Sequence, residues 1–317
     1  MNSIVLEIKN VNHSFGKRSA KHRVLYDINL KITEGQFVSL VGPSGCGKSV
    51  LLRAIVGTHP PEEGQIIVYS GKENETADIK TKADRNIGIV YQRYSLFPFL
   101  TALENVAFGL MLDQTSILRR MFHPLTWRKL RKKHLEQGAA LLEKLKLKNA
   151  MSRYPCQLSG GMCQRVAIAQ ALIMKPRILL LDEPFGALDE ATRTQMQDML
   201  LTLYKENTKA KERREKPPYT ILIVTHELNE AIRVGDRVVG LSMYWDWKKN
   251  LSESPGASIV YDQKAPVFMP KEAMDYASIQ GQKDEITRAV FDPEYLKARD
   301  EFRKFWDEIQ DEEVTNL

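Results

Sequence analysis

The 317-residue sequence contains no apolar run approaching the roughly 20 residues that a membrane-spanning helix needs. Its opening, Met1-Asn2-Ser3-Ile4-Val5-Leu6-Glu7-Ile8-Lys9, alternates like a strand and lacks the apolar core and cleavage site of a signal peptide. A cytosolic location is the expectation, with any membrane reached through a partner. Cysteine is scarce. Cys46, Cys156 and Cys163 show no metal-ligand spacing, which excludes a zinc module and agrees with a reducing compartment. Internal repeats and low-complexity tracts are missing. Charge of one sign is also limited: a net +6 and a pI near 9.0 suit anionic ligands or surfaces, and no nucleic-acid partner is expected.

Hydrophobic residues make up 43% of the chain, enough at this length for a full α/β core with accessory subdomains. One stretch organises the rest. Gly42-Pro43-Ser44-Gly45-Cys46-Gly47-Lys48-Ser49 fits the G-x-x-x-x-G-K-[ST] pattern of a phosphate-binding loop. The apolar, β-prone Phe37-Val38-Ser39-Leu40-Val41 precedes it, and Val50 to Val56 suit a helix that stops at Gly57. Glycines let the backbone close around phosphate oxygens, and amides at the helix start point at them. Lys48 is placed to reach the β- and γ-phosphates of a nucleotide, and the Ser49 hydroxyl to ligate Mg²⁺. Cys46 lies inside the loop, so a bulky thiol reagent is expected to inactivate the protein through it.

Further candidates follow at the ends of apolar runs. Ile87 to Tyr91 reads as a strand ending at Gln92. Leu158-Ser159-Gly160-Gly161 opens a helix with Ser159 as N-cap and paired glycines that admit an anion. Ile178 to Leu181 reads as a buried strand delivering Asp182 and Glu183 to the ligand edge of a parallel sheet. Asp182 suits Mg²⁺, and Glu183 suits a general base acting on water. Ile221 to Thr225 ends at His226, a candidate γ-phosphate ligand. Phe15, read as lying in a turn before the loop, is an aromatic able to stack on a purine or simply to pack.

Taken together, these residues resemble the nucleotide-binding subunit of an ATP-binding-cassette transporter, over roughly residues 3–245. The resemblance covers Walker A at 42–49, the Q-loop at Gln92, the signature at Ser159, Gly160 and Gly161, Walker B ending at Asp182, Asp189 in the D-loop and His226 in the H-loop. It implies an α/β P-loop NTPase (RecA-like) core with an antiparallel β subdomain, a helical signature subdomain at about 93–175 and a C-terminal helical extension. It implies ATP as substrate, held by Phe15, residues 42–49 and Val50, with Mg²⁺ at Ser49, Gln92 and Asp182 and catalysis by Glu183 and His226. The signature residues are implied to meet the ATP of a second nucleotide-binding subunit. Transmembrane permease subunits and a substrate-binding protein are the other implied partners, at the cytoplasmic face of the membrane. The stretches around Phe185–Arg193 and Ser159–Met162 look like the nitrate/sulfonate/taurine importer branch. An exporter or lipid-transport ATPase shares the same core and stays open. A GTPase reading lacks an N-K-x-D motif, and a chromosome-type cassette lacks long heptads.

The remaining sequence sets further expectations. Thr101 and Glu104 form a capping box for a helix over 101–112. The basic stretch between Leu118 and His134 precedes an amphipathic helix over 135–147, and reads either as a solvated face or as attraction to anionic headgroups. A helix after Asp189 is expected to end near Glu206, with 207–218 a surface loop and Trp245–Pro255 a polar insertion. In the extension, 246–317, Asp292-Pro293-Glu294 reads as the start of a helix carrying Tyr295, Phe302, Phe305, Trp306 and Ile309.

Overall fold

A computed structural model describes residues 3–16, 22–69, 78–79, 85–93, 95–186, 188–247, 256–267, 276–297 and 301–302. Strands β1 (Ile4–Phe15), β2 (His22–Thr33) and β3 (Phe37–Val41) lead into the phosphate loop and α1 (Lys48–Val56). Then come β4 (Glu63–Val68), β5 (Asp78–Ile79) and β6 (Ile87–Val90). Helices α2 (Ala102–Gln114), α3 (Ile117–Phe122), α4 (Pro124–Lys144) and α5 (Gly160–Leu172) follow. After them lie β7 (Ile178–Asp182), α6 (Glu190–Glu212), β8 (Ile221–Val224) and α7 (Leu228–Val234). The order closes with β9 (Arg237–Ser242), β10 (Ser258–Lys264) and α8 (Tyr276–Ile286).

The chain divides into two compact units, Met1–Asp84 with Leu200–Leu317, and Arg85–Met199. In the first unit, β2-β1-β4-β5 form an antiparallel sheet. A second run of strands follows the order β10-β9-β3-β8, with β3 parallel to both β8 and β9 and β10 antiparallel to β9. Every residue of β3, β8 and β9 is buried, which is why these segments read as near-continuous apolar runs. The one polar residue of β3, Ser39, donates its hydroxyl to Ala231 O at 2.9 Å. Arg237, 1% exposed, is held by Asp262 through two contacts of 2.6 Å, tying β9 to β10. Gly57, at φ 86, ends α1 as the sequence predicts, its amide donating to Ala54 O and Arg53 O.

The second unit pairs β6 with β7 in parallel and packs α2 against α4 and α5. The capping box at Thr101 and Glu104 is present on both arms. The helices come close at Gly138, where an added Cβ would lie 3.2 Å from Leu103 Cδ1. Leu179, Leu180 and Leu181 of β7 are each at most 1% exposed, and full burial of such a side chain contributes about 1.5–3 kcal/mol.

Several expectations are corrected. Phe15 ends strand β1 and pairs with His22, so it does not lie in a turn. The amphipathic helix expected from 135 begins at Pro124, inside the basic stretch. α6 runs to Glu212, because buried Asn207 satisfies the chain around it: its amide donates to Gly35 O and Tyr219 O and accepts from Tyr219 N. Trp245 is not part of a polar insertion. It is 4% exposed, stacks on Tyr26 at 5.7 Å and shares a core with Val41, Ile232, Ile286, Val290 and Phe302. The extension's described helix is α8, continued by a π-helical turn at Thr287–Phe291. Residues 292–297 are not helical, and Asp292 Oδ1 instead accepts from Glu294 N. Phe305, Trp306 and Ile309 lie outside the described residues.

Candidate nucleotide-binding site

The first unit carries the phosphate loop. The chain leaves β3 fully buried, turns through the glycines and enters α1 at Lys48. Gly45 and Gly47 take φ +79 and +102, a region that side-chain-bearing residues rarely adopt. Gly42 is required for a different reason: an added Cβ would lie 2.2 Å from Leu241 O and 2.8 Å from Cys46 Sγ. Lys48 is only 7% exposed, and its ammonium donates to Gly42 O at 2.7 Å and Pro43 O at 2.9 Å. No carboxylate pairs with it among the described residues. Its one other polar contact among them is the Cys46 sulfur at 4.0 Å; a buried cation met only by neutral groups is costly, and a phosphate at the loop would supply the missing charge. Ser44, Gly45 and Ser49 are exposed, while Pro43 and Val50 are half-buried. Cys46 is 1% exposed, and burial pushes its thiol pKa up, against the opposing pull of Lys48.

His226 directly follows Thr225 after β8 and is exposed. Behind it, the Thr225 hydroxyl donates to Glu230 Oε2 at 2.8 Å and accepts from Glu227 N at 3.1 Å, which fixes the turn. Phe15 is 43% exposed at the end of β1. His13 packs against it edge-on, with ring centroids 4.8 Å apart. His13 is buried with both ring nitrogens lacking a hydrogen bond, and burial pushes its pKa down. The sequence reading missed His13. The available signal was strand alternation, which puts residues 13 and 15 on one face once the strand extends that far.

The second unit carries the acids. Asp182 ends β7 half-buried, and Glu183 follows at φ +46. That left-handed backbone is strained for a side-chain-bearing residue. It re-aims Glu183 at the point where the strand stops. Glu183 Oε2 accepts from Gln92 Nε2 at 3.1 Å, bringing together two residues 91 positions apart. Gly186 passes close by, the site of its missing Cβ lying 3.7 Å from Glu183 Oε2.

Ser159 caps α5, its hydroxyl accepting from Met162 N at 3.3 Å. Gly160 is exposed, but Gly161 is buried. An added Cβ there would sit 2.0 Å from Thr192 Cγ2, so close packing against α6 alone demands this glycine. Asp189 precedes α6 and accepts from Thr192 N at 3.0 Å; hydrogen bonding to Thr192 holds its carboxyl below the usual range.

A lysine opening the helix after a buried parallel strand, its charge met only by neutral groups of the loop itself, defines the first unit as a P-loop nucleotide-binding fold. Residues 25–186 match the ABC transporter family, and the chain belongs to it. It is 42% identical over 262 residues to the sulfate/thiosulfate import ATP-binding protein CysA of Synechocystis sp., covering 83% of this chain and 63% of that protein. It therefore spans less than two thirds of that relative's length. It is 38% identical to the aliphatic sulfonates import ATP-binding protein SsuB of Bacillus licheniformis, covering 75% of this chain and 80% of that one. Among solved structures, a dimeric ATP-binding cassette in a post-hydrolysis state bound to ADP and Pi superposes with a TM-score of 0.60. That cassette is 29% identical, with 83% of this chain and 100% of that one covered.

Proposed function

We propose that this chain is the ATP-binding and hydrolysing subunit of an ABC importer, with 1–245 as the ATPase domain, a helical subdomain at about 93–175 and 246–317 as an extension. The observation that carries the reading is Lys48, a buried cation with no carboxylate partner among the described residues, set at the start of a helix. Residues 42–49 and Val50 bind the triphosphate, and Phe15 stacks on the adenine with His13 behind it. Mg²⁺, when bound, neutralises charge on the β- and γ-phosphate oxygens. Ser49 and Asp182 are the residues to hold it. The amide oxygen of Gln92 is a third, since its nitrogen is engaged with Glu183.

Glu183 accepts a proton from the attacking water, and Gln92 holds its carboxylate in place. His226 contacts the γ-phosphate. Ser159, Gly160 and Gly161 face the ATP of a second nucleotide-binding subunit, and Asp189 fixes the start of α6 near that interface. The dimeric cassette in the post-hydrolysis state supports this arrangement. ATP drives closure only by binding the closed state better than the open one. A groove of about 300 Å³, lined by Tyr91, Ser95, Gln170 and Met174 among others, is the candidate contact for a membrane permease.

Two import relatives favour import over export or lipid transport, and their names favour a sulfur oxyanion or sulfonate over nitrate. Tagged protein is recovered from native membranes and its partners identified by mass spectrometry. A permease together with a substrate-binding protein supports import. A permease recovered repeatedly without one, carrying an exporter's fused architecture, contradicts it.

A further inference from the structure

The second unit presents a surface that the nucleotide site does not use. Met121, Phe122 and Leu125, at the corner between α3 and α4, are 70%, 73% and 74% exposed. Large side chains this bare and this close together mark an interaction surface. The sequence behind them is cationic, and no Asp or Glu stands between Asp113 and Glu136. On α4, Leu125, Arg128, Lys129 and Lys132 follow i, i+3, i+4, i+7 spacing, share one face and are all exposed. The opposite face buries His134, Gly138 and Leu142.

The cations are not consumed locally. Arg131 pairs with Glu104 at 3.2 Å, and Lys132 reaches Glu136 at 3.9 Å. Arg128, Lys129 and Lys133 have no ion pair among the described residues. Arg120 is engaged elsewhere. Its guanidinium lies over the Trp127 ring at 4.7 Å and donates to Met111 O and Thr115 O, which fixes the corner to the end of α2. The apolar tip is therefore held in place.

The spacing along α4 favours one kind of partner. A protein groove takes an apolar stripe running down a helix. Here the apolar residues gather at one end, and the stripe behind them is cationic. At about 1.5 Å per residue, these cations lie roughly 5–12 Å behind Leu125. A corner that tips its apolar residues into the headgroup–acyl boundary leaves cations set this far behind them at the level of the lipid phosphates. We propose that the α3–α4 corner docks directly on an anionic lipid bilayer. Met121, Phe122 and Leu125 enter the boundary, and Arg128, Lys129 and Lys133 meet the phosphates. Membrane contact then does not depend on a partner subunit alone, and this docking requires no nucleotide.

The test is co-flotation of the full chain with vesicles of phosphatidylcholine alone or with phosphatidylglycerol. At low salt the protein floats with the anionic vesicles and not the neutral ones, and added salt weakens the association. Reversing Arg128, Lys129 and Lys133 to Glu lowers partitioning roughly tenfold or more. Phe122→Ser with Leu125→Ser also lowers it, leaving the charge untouched. Circular dichroism and thermal melts verify that each variant folds. Absence of the parent protein from the anionic floated fraction overturns the proposal and leaves the corner to a protein partner. Flotation unchanged by the triple reversal overturns it as well.

Discussion

Lys48 and Glu183 both stand just past the end of a buried strand, but the fold holds them in opposite ways. Lys48 is buried, its backbone is helical, and two loop carbonyls fix its ammonium. Glu183 is half-exposed, its backbone is left-handed, and a side-chain amide holds it. The proposed binding cation is held by the loop's own backbone, and its burial makes an anion more valuable there. The candidate base is instead kept in a strained backbone conformation, with its carboxylate accepting from the Gln92 amide. Strain of this sort costs about 1–3 kcal/mol and persists where the surroundings over-determine it.

If this contrast holds, removing Lys48 damages binding first. Lys48→Ala is expected to weaken a fluorescent ATP analogue by about a hundredfold, since charge-assisted contacts to phosphate are lost. Unchanged affinity in an equilibrium titration breaks the binding half of the comparison. Gln92→Ala tests the other half. It frees Glu183 from its amide partner and removes a proposed Mg²⁺ ligand, so hydrolysis is expected to fall about tenfold or more while the analogue, titrated without Mg²⁺, binds as before. A fall in affinity equal to the fall in turnover would place Gln92 in binding instead.

Asp236, in the same unit as Lys48, extends the contrast to a half-buried acid. Burial raises its pKa from 3.8 to about 6, against the favourable hydrogen bond from Phe37 N. The folded state therefore binds this proton more tightly than the unfolded chain. Its contribution to stability is full below pH 3.8 and is lost as pH rises through about 6. Asp236→Asn is expected to flatten the stability–pH curve across that window. At neutral pH it should stabilise the protein by up to about 3 kcal/mol, from the shift at 1.36 kcal/mol per unit. Denaturant melts at pH 4 and pH 7 measure both, and an unaltered slope rejects the assignment. The smallest effect is expected at Cys46. Its burial and raised thiol pKa reverse the expectation that a reagent acts through it, and Cys156 is the exposed thiol. Brief maleimide treatment should label Cys156, identified by peptide mapping, and leave ATP binding intact. Early loss of binding that Cys46→Ser prevents would show the loop to be open to the reagent.

Local rules made much of this legible. The phosphate loop, the stop at Gly57, the capping box at Thr101 and the N-cap at Ser159 each depend on a few neighbouring residues, and the sequence displays them directly. What was missed depends on distant partners. α6 continues past Glu206 because Asn207 bonds to Gly35, far away in sequence. Trp245 is buried because Tyr26 and Phe302 cover it. Gly161 looks in the sequence like a provision for anion access, whereas in the fold Thr192 packs against it. The turn of Glu183 is a backbone conformation, and no residue pattern announces it. The tail misled for a different reason. Asp292-Pro293-Glu294 has the composition of a helix start, but the Asp292 carboxylate closes a tight turn on Glu294 N instead.

The central claim is that this chain binds ATP through Lys48 and hydrolyses it through Glu183. The direct test measures Mg-ATP binding and turnover together on Glu183→Gln, which keeps the side chain's shape and removes its basic oxygen. Binding is predicted to match the parent, while hydrolysis falls by about two orders of magnitude or more, the range for loss of a general base. Hydrolysis at the parent rate would contradict the account.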